Sequence, residues 1–439
     1  MPSRIRPLTA WPLGAALVAA LGAAVPGAAA AQTIAITGGK VYPVSGPPIE
    51  NGTVLIRNGK IVAVGSNVAV PADAEKVDAS GKWVTPGLVD AVTQLGLVEV
   101  GFGAGANESR ARTPDGATPI TPAFTSWDGL NPRSVMIPPA REGGVTSAMS
   151  MPVGGLVAGQ ASMIDLFGTT RADMILRAPA AMIAGIGDAG GDGAPAKGQV
   201  IATLRELLQD TRYYQKHVAE FDRGQSRQLS ASASGLAAMV PVLEGKLPLL
   251  INADQASDIQ SVIDLAKEFG IKVIIGGGEE AWEVAEHLAA AKIPVLAGAM
   301  SNIPSSFSAL GSRQDNVALL RKAGVQVALI GNGGGDEELF NVRNIRYEAG
   351  NAVGYGLSWD EALKAITEAP AEIFGVADRI GSLQPGREAN VVIWNGDPFE
   401  FATQPVAVYV RGQKQNDVSR QDLLTKRYET MPPKYEPKP

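Results

Sequence analysis

Short apolar runs alternate with amphipathic segments between Leu247 and Gly331, and this alternation restricts the fold more than any other feature of the chain. The runs begin near residues 248, 271 and 293, so one strand-plus-helix unit takes about 22 residues. The runs are apolar throughout, which is typical of parallel strands covered on both faces. The pattern predicts an α/β protein, either a βα barrel or a doubly wound sheet.

The amphipathic segments carry helix signals. Apolar residues recur with the period of one helix face at Ile259, Val262, Ile263, Ala266 and Phe269. The pairs Ser257–Gln260 and Ser358–Glu361 have the spacing of a capping box, in which side chains satisfy the first free N–H groups of a helix. We therefore expect a helix to begin at each serine.

The segments on either side of this α/β region are predicted to form β-structure. Asn58-Gly59 stands between T-V-L-I-R and K-I-V-A-V-G. Both central residues of a type I′ hairpin turn need positive φ, which Asn and Gly tolerate, so this dipeptide predicts a hairpin. Strand-like runs return near the other end, in N-V-V-I-W-N and V-A-V-Y-V-R-G. The predicted parts are a composite β-domain from 32–86 with 384–415, a barrel at 87–383 and a C-terminal tail at 416–439.

The first 31 residues have the order of a secretory signal peptide. Arg4 and Arg6 precede an apolar run at 8–25, and the small residues at 29–31 offer a cleavage site before Gln32. We expect a periplasmic or secreted protein that keeps no membrane contact after cleavage.

Charge and cysteine content exclude several function classes. The formal net charge is −6 and becomes −8 without the two arginines of the predicted leader, which argues against nucleic acid or an anionic membrane as a partner. The chain has no cysteine, which excludes thiol nucleophiles, cysteine zinc sites and disulfides.

Three stretches resemble the amidohydrolase superfamily, and more narrowly its secreted imidazolonepropionase-like branch. They are N-G-T-V-L-I-R-N-G-K-I-V-A-V-G with G-K-W-V-T-P-G-L-V-D-A, then L-P-L-L-I-N-A-D-Q-A-S-D-I, then L-S-W-D-E-A-L-K-A-I-T-E-A-P-A-E-I-F-G through E-A-N-V-V-I-W-N-G-D-P. The resemblance implies a distorted (β/α)8 TIM barrel of the metal-dependent hydrolase type. It also implies a small β-sandwich domain built from both termini.

The resemblance implies a centre of zinc or another divalent metal, but this chain departs from it at the ligand positions. Where the family has P-G-x-x-D-x-H-x-H, this chain has P-G-L-V-D-A-V-T-Q, and H-A-H-R-A-D-D-I is matched by N-A-D-Q-A-S-D-I. The expected ligand positions hold Val92, Gln94, Asn252, Asp254, Gly277 and Asn332. We therefore predict no metal cofactor.

The histidine count supports this prediction. The chain has two histidines, His217 and His287, whereas a binuclear site of the family type uses four. Both lie in helical patterns, and the helices of a TIM barrel lie outside, away from the strand ends that carry the chemistry.

Three functions remain open. The first is an inactive family member that acts as partner or scaffold for an active amidohydrolase paralogue, in a hetero-oligomer or as a homo-oligomer. The second is a hydrolase of C–N bonds in cyclic amides or small peptides, for which Asp254 is the candidate acid. The third is a metal-free periplasmic binder of small molecules or peptides. The predicted pocket residues are Gln94, Gln160, Asn252, Asp254 and Asn332.

Overall fold

The computed structural model describes residues 32–99, 107–111, 120–186, 196–300, 304, 309–331, 341–416 and 418–429. The predicted signal peptide at 1–31 and the predicted pocket residue Asn332 lie outside the described residues. Across the described ranges, no helix is long and apolar enough to cross a membrane.

The described strands, in chain order, are β1 (Thr33–Val41), β2 (Ile49–Arg57), β3 (Lys60–Gly65), β4 (Glu75–Asp78), β5 (Trp83–Pro86), β6 (Leu88–Thr93), β7 (Val145–Ser150), β8 (Val157–Asp165), β9 (Ile175–Gly185), β10 (Leu249–Ala253), β11 (Val273–Gly277), β12 (Val295–Ala297), β13 (Val327–Leu329), β14 (Val391–Trp394), β15 (Pro405–Val410) and β16 (Gln413–Lys414). The described α-helices are α1 (Ile137–Glu142), α2 (Arg171–Met174), α3 (Lys197–Asp222), α4 (Ala233–Leu243), α5 (Ala256–Phe269), α6 (Ala285–Ala291), α7 (Asn316–Lys322), α8 (Ile345–Gly354), α9 (Trp359–Ala365), α10 (Glu368–Ile373) and α11 (Arg420–Tyr428).

The terminal β-domain takes strands from both ends of the chain. Its sheet has the order β16-β15-β14-β5-β1-β2-β3, and β4 pairs with the first half of β1 while β5 pairs with its end. Asn58 and Gly59 join β2 to β3 with φ of 52° and 75°, so the predicted hairpin turn is confirmed. A separate β-domain beside a barrel-like sheet confirms the predicted fold class.

The second sheet is a nearly closed barrel in the order β6 to β13. Seven of its strands run parallel, but β8 is antiparallel to both of its neighbours. Only six residues link β7 to β8, and Gly154 and Gly155 turn there with φ of 88° and 77°. A link of that length suits antiparallel neighbours, because a parallel crossover needs a dozen or more residues.

Side chains alternate between the two faces of the barrel strands. Residues of the inner cluster include Val89, Met149, Met163, Leu250, Ile274 and Leu296. The intervening positions pack under the helices, for example Leu249 and Ile251 of β10. Because the side-chain period of a strand is two, Asn252 faces the inside of the barrel like Leu250, at the carboxyl end of β10.

Helix starts match the sequence signals in part. Ser358 caps α9 by accepting the N–H of Glu361, as predicted. Helix α5 instead begins after Gln255, so the predicted start at Ser257 is wrong. Helix α11 lies within the segment that the sequence assigned to a tail, and none of its side chains is buried.

A buried ion pair joins the β-domain to the barrel. Asp165, at the end of β8, is fully buried and accepts hydrogen bonds from Ser147 Oγ at 2.7 Å and Asn390 Nδ2 at 2.8 Å. Nε of Arg411, which follows β15, donates to the same carboxylate at 2.8 Å. Asn390 and Arg411 belong to the terminal domain, so these bonds fix one unit against the other.

Candidate functional site

Charged side chains follow three consecutive strands at the carboxyl end of the barrel. Lys197 opens the helix after β9, Asp254 follows β10 and Glu279 follows β11. Active sites of TIM barrels lie at this end, because the loops after the strands converge there. We call Lys197, Asn252, Asp254 and Glu279 the mouth cluster.

The loop after β11 holds the carboxylate of Asp254. Gly277 and Gly278 have φ of 81° and 64°, a conformation that residues with a Cβ rarely adopt. The turn directs the backbone N–H groups of Glu279 and Gly278 toward the Asp254 carboxylate. Both donors favour the ionised form of the Asp254 carboxyl group, and the N–H of Gly278 also donates to the carbonyl oxygen of Ala253 at 3.1 Å.

The pKa of Asp254 is raised from its ordinary 3.8 to about 6. Burial is the largest cause, because it disfavours the charged form, and the negative charge of Glu279 adds to it. The two backbone N–H groups and the positive charge of Lys197 act in the opposite direction. A carboxyl group with this pKa is mostly ionised at pH 7 and still basic enough to accept a proton.

Asn252 in β10 and Asp254 just after it both lie over glycines of the neighbouring strand β11. A Cβ placed on Gly277 would lie 2.2 Å from Oδ1 of Asp254, and one on Gly276 would lie 2.3 Å from Oδ1 of Asn252. The glycines therefore make room for the two side chains. Asn252 is exposed, so its amide is accessible at the mouth.

Lys197 links the start of α3 to the start of α5. Its Nζ donates to Gln255 Oε1 at 2.5 Å and to Asp258 Oδ2 at 2.6 Å. Neither Lys197 nor Glu279 was predicted as a site residue from the sequence. Glu279 stands in the G-G-E-E-A motif and could have been found there, whereas no local pattern marks Lys197.

The other predicted pocket residues have different surroundings. Gln160 Nε2 donates to the carbonyl of Pro122 at 3.0 Å, so its amide supports a neighbouring segment. Gln94 follows β6 and is half-buried, and Val92 packs against the apolar inside of the barrel. The grouping of Gln94, Asn252 and Asp254 into one ligand pocket stays a prediction.

Neither histidine belongs to the mouth cluster. His217 lies in α3, where its ring stacks on Tyr213 and its Nδ1 lies 2.9 Å from the Tyr213 carbonyl oxygen. His287 lies in α6, with Nδ1 2.7 Å from Gln260 Oε1. Both are on outer helices, as the sequence predicted.

The described residues do not fit the metal centre that the fold implies. They contain no group of three or more His, Asp or Glu side chains that could hold a metal ion together. Structural and catalytic zinc need three or four N, O or S ligands from the protein. Valine at 92 and glycine at 277 offer none, and the room above Gly277 is taken by Asp254.

The fold is a barrel of the amidohydrolase type, and comparisons with known proteins agree. The sequence model of the amidohydrolase family matches residues 234–418. The crystal structure of an amidohydrolase from Thermotoga maritima superposes with a TM-score of 0.76 at 30% identity, covering 87% of this chain and 99% of that one. The chain belongs to the amidohydrolase family.

Curated relatives are more distant. An imidazolonepropionase of Bradyrhizobium is 25% identical over 79% of this chain and 88% of its own length. Amidohydrolase tasK of Hapsidospora irregularis is 24% identical over 83% of this chain. The chain spans only 40% of the length of that second protein.

Proposed function

We propose that this protein hydrolyses C–N bonds of cyclic amides or small peptides at the mouth cluster, with Asp254 as the general base. The observation that carries the proposal is the half-buried carboxylate of Asp254, which lies just after β10 over Gly277, at the carboxyl end of the barrel and close to the charge of Glu279. The hydrolase names of the relatives support the reaction class.

Asp254 takes a proton from water while the water oxygen attacks the amide carbon. The C–N bond then breaks, and the same carboxyl group returns the proton to the leaving nitrogen. The exposed Asn252 amide donates to the carbonyl oxygen as negative charge develops on it. Lys197 and Glu279 adjust the proton affinity of Asp254 without touching the substrate.

The energetics restrict the substrates. A metal lowers the pKa of bound water from about 15.7 to about 7, which corresponds to about 12 kcal/mol. A positioned base alone accelerates a reaction by about 10²–10⁴-fold. We therefore expect slow turnover and a preference for activated amides, such as strained cyclic imides, over plain dipeptides.

The test is hydrolysis of a panel of five- and six-membered cyclic imides, cyclic amides and dipeptides by pure protein in the presence of a strong chelator. Asp254→Asn should reduce kcat by at least about 10²-fold, because it removes the base. Asp264→Asn, on the exposed face of α5, is the matched control and should leave kcat unchanged. The proposal would be contradicted if Asp254→Asn remained as active as the parent. It would also be contradicted if the chelator abolished hydrolysis. Binding of a panel member without turnover would favour the metal-free binder instead.

A second candidate is a scaffold for an active amidohydrolase. The apolar side chains of Val418, Leu423 and Tyr428 near the C-terminus favour it, because they are at least half exposed. Co-expression with a histidine-bearing family member should then give a stable hetero-oligomer in size-exclusion chromatography. Glu substitutions at these three positions should dissociate the hetero-oligomer. If the parent chain and the Glu variant both elute as monomers after co-expression, the scaffold proposal is refuted.

We also propose that residues 1–31 direct export to the periplasm or outside the cell. The mature protein should begin at Gln32, which N-terminal sequencing of the exported form measures. A cytoplasmic protein that retains Met1 would refute this assignment.

A further inference from the structure

A cavity of about 610 Å³ opens at the opposite end of the barrel from the mouth cluster. It lies below the starts of β10, β11 and β12, between the last turns of α5 and α6. Strand β10 has five residues, so about 17 Å separates this end from Asp254. The volume falls within the roughly 300–1,000 Å³ of small-molecule sites.

The floor of the cavity is apolar. It is lined by Pro248, Ile263, Ala266, Ile271, Ile274 and Ile293. These side chains come from strand starts and from the inner face of α5, so packed secondary structure fixes the shape. An apolar occupant would gain about 25 cal/mol per Å² of surface removed from water.

The rim of the cavity is cationic. Lys267, Lys272 and Lys292 line it and are exposed. Across the described ranges, none of the three lies within 4 Å of a carboxylate oxygen. The one acid in the lining, Glu372, already accepts hydrogen bonds from Gln326 at 2.8 Å and Lys364 at 3.4 Å.

The adjoining groove, which shares Gln326 and Glu372 with the cavity, shows the contrast. There Arg321 pairs with Glu361 at 3.3 Å, and Lys364 pairs with glutamates at 3.4 Å. Its cations are paired with acids of the protein, whereas no carboxylate within the described ranges pairs with the three rim lysines.

We propose that this cavity binds an amphipathic organic anion, with an apolar chain or ring on the isoleucine floor and its carboxylate at the lysine rim. An amphipathic cation would meet three like charges, and a fully polar anion would leave the floor in contact with water. The site is distinct from the mouth cluster, so its occupancy does not depend on hydrolysis.

The experiment is calorimetric titration of the full chain with octanoate at low ionic strength, with octylammonium as the charge-reversed probe. Octanoate should bind saturably with one site per chain, and octylammonium should bind at least tenfold more weakly. Affinity for octanoate should fall as salt rises, because the rim charges are exposed. Equal binding of both probes, or no saturable binding of octanoate, would overturn the proposal.

Variants locate the site. The triple substitution Lys267→Gln, Lys272→Gln and Lys292→Gln should weaken octanoate binding at least tenfold. The matched control removes the same charge from exposed lysines elsewhere, by Lys76→Gln, Lys216→Gln and Lys322→Gln, and should change affinity less than twofold.

Ala266→Phe, which fills the floor of the cavity, should abolish octanoate binding, and a melting curve shows whether the variant is folded. Equal effects of the two triple variants, or octanoate binding by folded Ala266→Phe, would also overturn the proposal. Asp254→Asn should bind octanoate like the parent, which separates this site from the proposed catalysis.

Discussion

The carboxylate of Asp254 occupies the space that any side chain at Gly277 would need, with Oδ1 only 2.2 Å from the position of a Cβ on that glycine. Asp254 directly follows β10 and Gly277 ends the neighbouring strand β11, at the carboxyl end of the barrel. A side chain at 277 would therefore require the carboxylate of Asp254 to move from its position.

Gly277→His tests this steric conflict by adding the histidine that the family resemblance implies. A φ of 81° disfavours any residue with a Cβ by about 1–2 kcal/mol, and displacing Asp254 adds to that. We expect unfolding free energy to fall by about 2–4 kcal/mol, with no stabilisation by added zinc. Chemical denaturation with and without zinc measures both. Gly185→Ala, at the end of β9 with open space around its Cβ, should change stability by less than about 1 kcal/mol.

Asp254→Asn should make the protein more stable at neutral pH. The folded-state pKa of about 6 exceeds the ordinary 3.8, so the folded protein holds this proton more tightly and loses stability as pH rises from about 4 to 6. At about 1.4 kcal/mol per pH unit the loss is at most about 3 kcal/mol, and partial exposure and weaker hydrogen bonds to the amide reduce it. We expect the variant to be about 1–2 kcal/mol more stable at pH 7.5 and no more stable at pH 4.

Denaturation curves at both pH values test this sign, with Asp264→Asn as the exposed control. An Asn variant that is less stable at pH 7.5 would mean that the carboxylate stabilises the fold. The opposite sign, a more stable Asn variant, is typical of a residue that serves function at a cost in stability.

Glu279→Gln should lower the pKa of Asp254, because it removes the negative charge that helps to raise it. If Asp254 is the base, the acid limb of the kcat profile should have its midpoint near pH 6 in the parent and move to lower pH in the variant. The pH dependence of hydrolysis of the best substrate measures the shift. An unchanged midpoint would assign the limb to another group.

Purified protein should retain no stoichiometric metal. The described residues provide no group of three ligands, so exposure to zinc, manganese or calcium followed by desalting should leave well under one ion per chain. Elemental analysis measures this ratio, and a melting temperature that a chelator leaves unchanged is the companion result. One or two tightly held ions would show that residues outside the described ranges complete a centre.

Arg411→Met should destabilise the protein by about 3–5 kcal/mol, because it leaves the fully buried Asp165 with its charge unpaired. Asp165→Asn in the same chain should recover part of the loss. Arg205→Met, which breaks the exposed pair with Glu268, should cost less than about 1 kcal/mol. Equal losses for the two arginine variants would show that the buried pair does not hold the domains together.

Local signals in the sequence predicted most of the fold. The dipeptide Asn58-Gly59 predicted the hairpin turn between β2 and β3. The 22-residue spacing of apolar runs predicted the strands in the second half of the barrel. The reversed direction of β8 was not predicted, because its side chains are buried at nearly every position and carry no alternation. Its direction follows from the short glycine link before it.

Long-range contacts account for the remaining differences. Ser257 has the capping spacing, yet the N–H of Ala256 is satisfied by Glu280 Oε2 at 3.0 Å, from the end of another strand. The influence of Lys197 and Glu279 on Asp254 likewise joins three separate loops. The sequence could predict Asp254 from a local motif, but the pKa of its carboxyl group depends on neighbours distant along the chain.

The reversal of β8 has a consequence for any attempt to shorten the protein. Among the described elements, no long crossover helix connects β7 to β8, and strand β15 of the terminal β-domain contacts β7. Trp394 lies so close to Gly144 that a Cβ on that glycine would be 2.4 Å from the indole. Removing the terminal sheet would expose apolar barrel surface to water. It would also leave the buried carboxylate of Asp165 without its partners Arg411 and Asn390. Truncated variants and chimeras with other family barrels should therefore fold only when they keep both segments of the terminal β-domain together with this barrel.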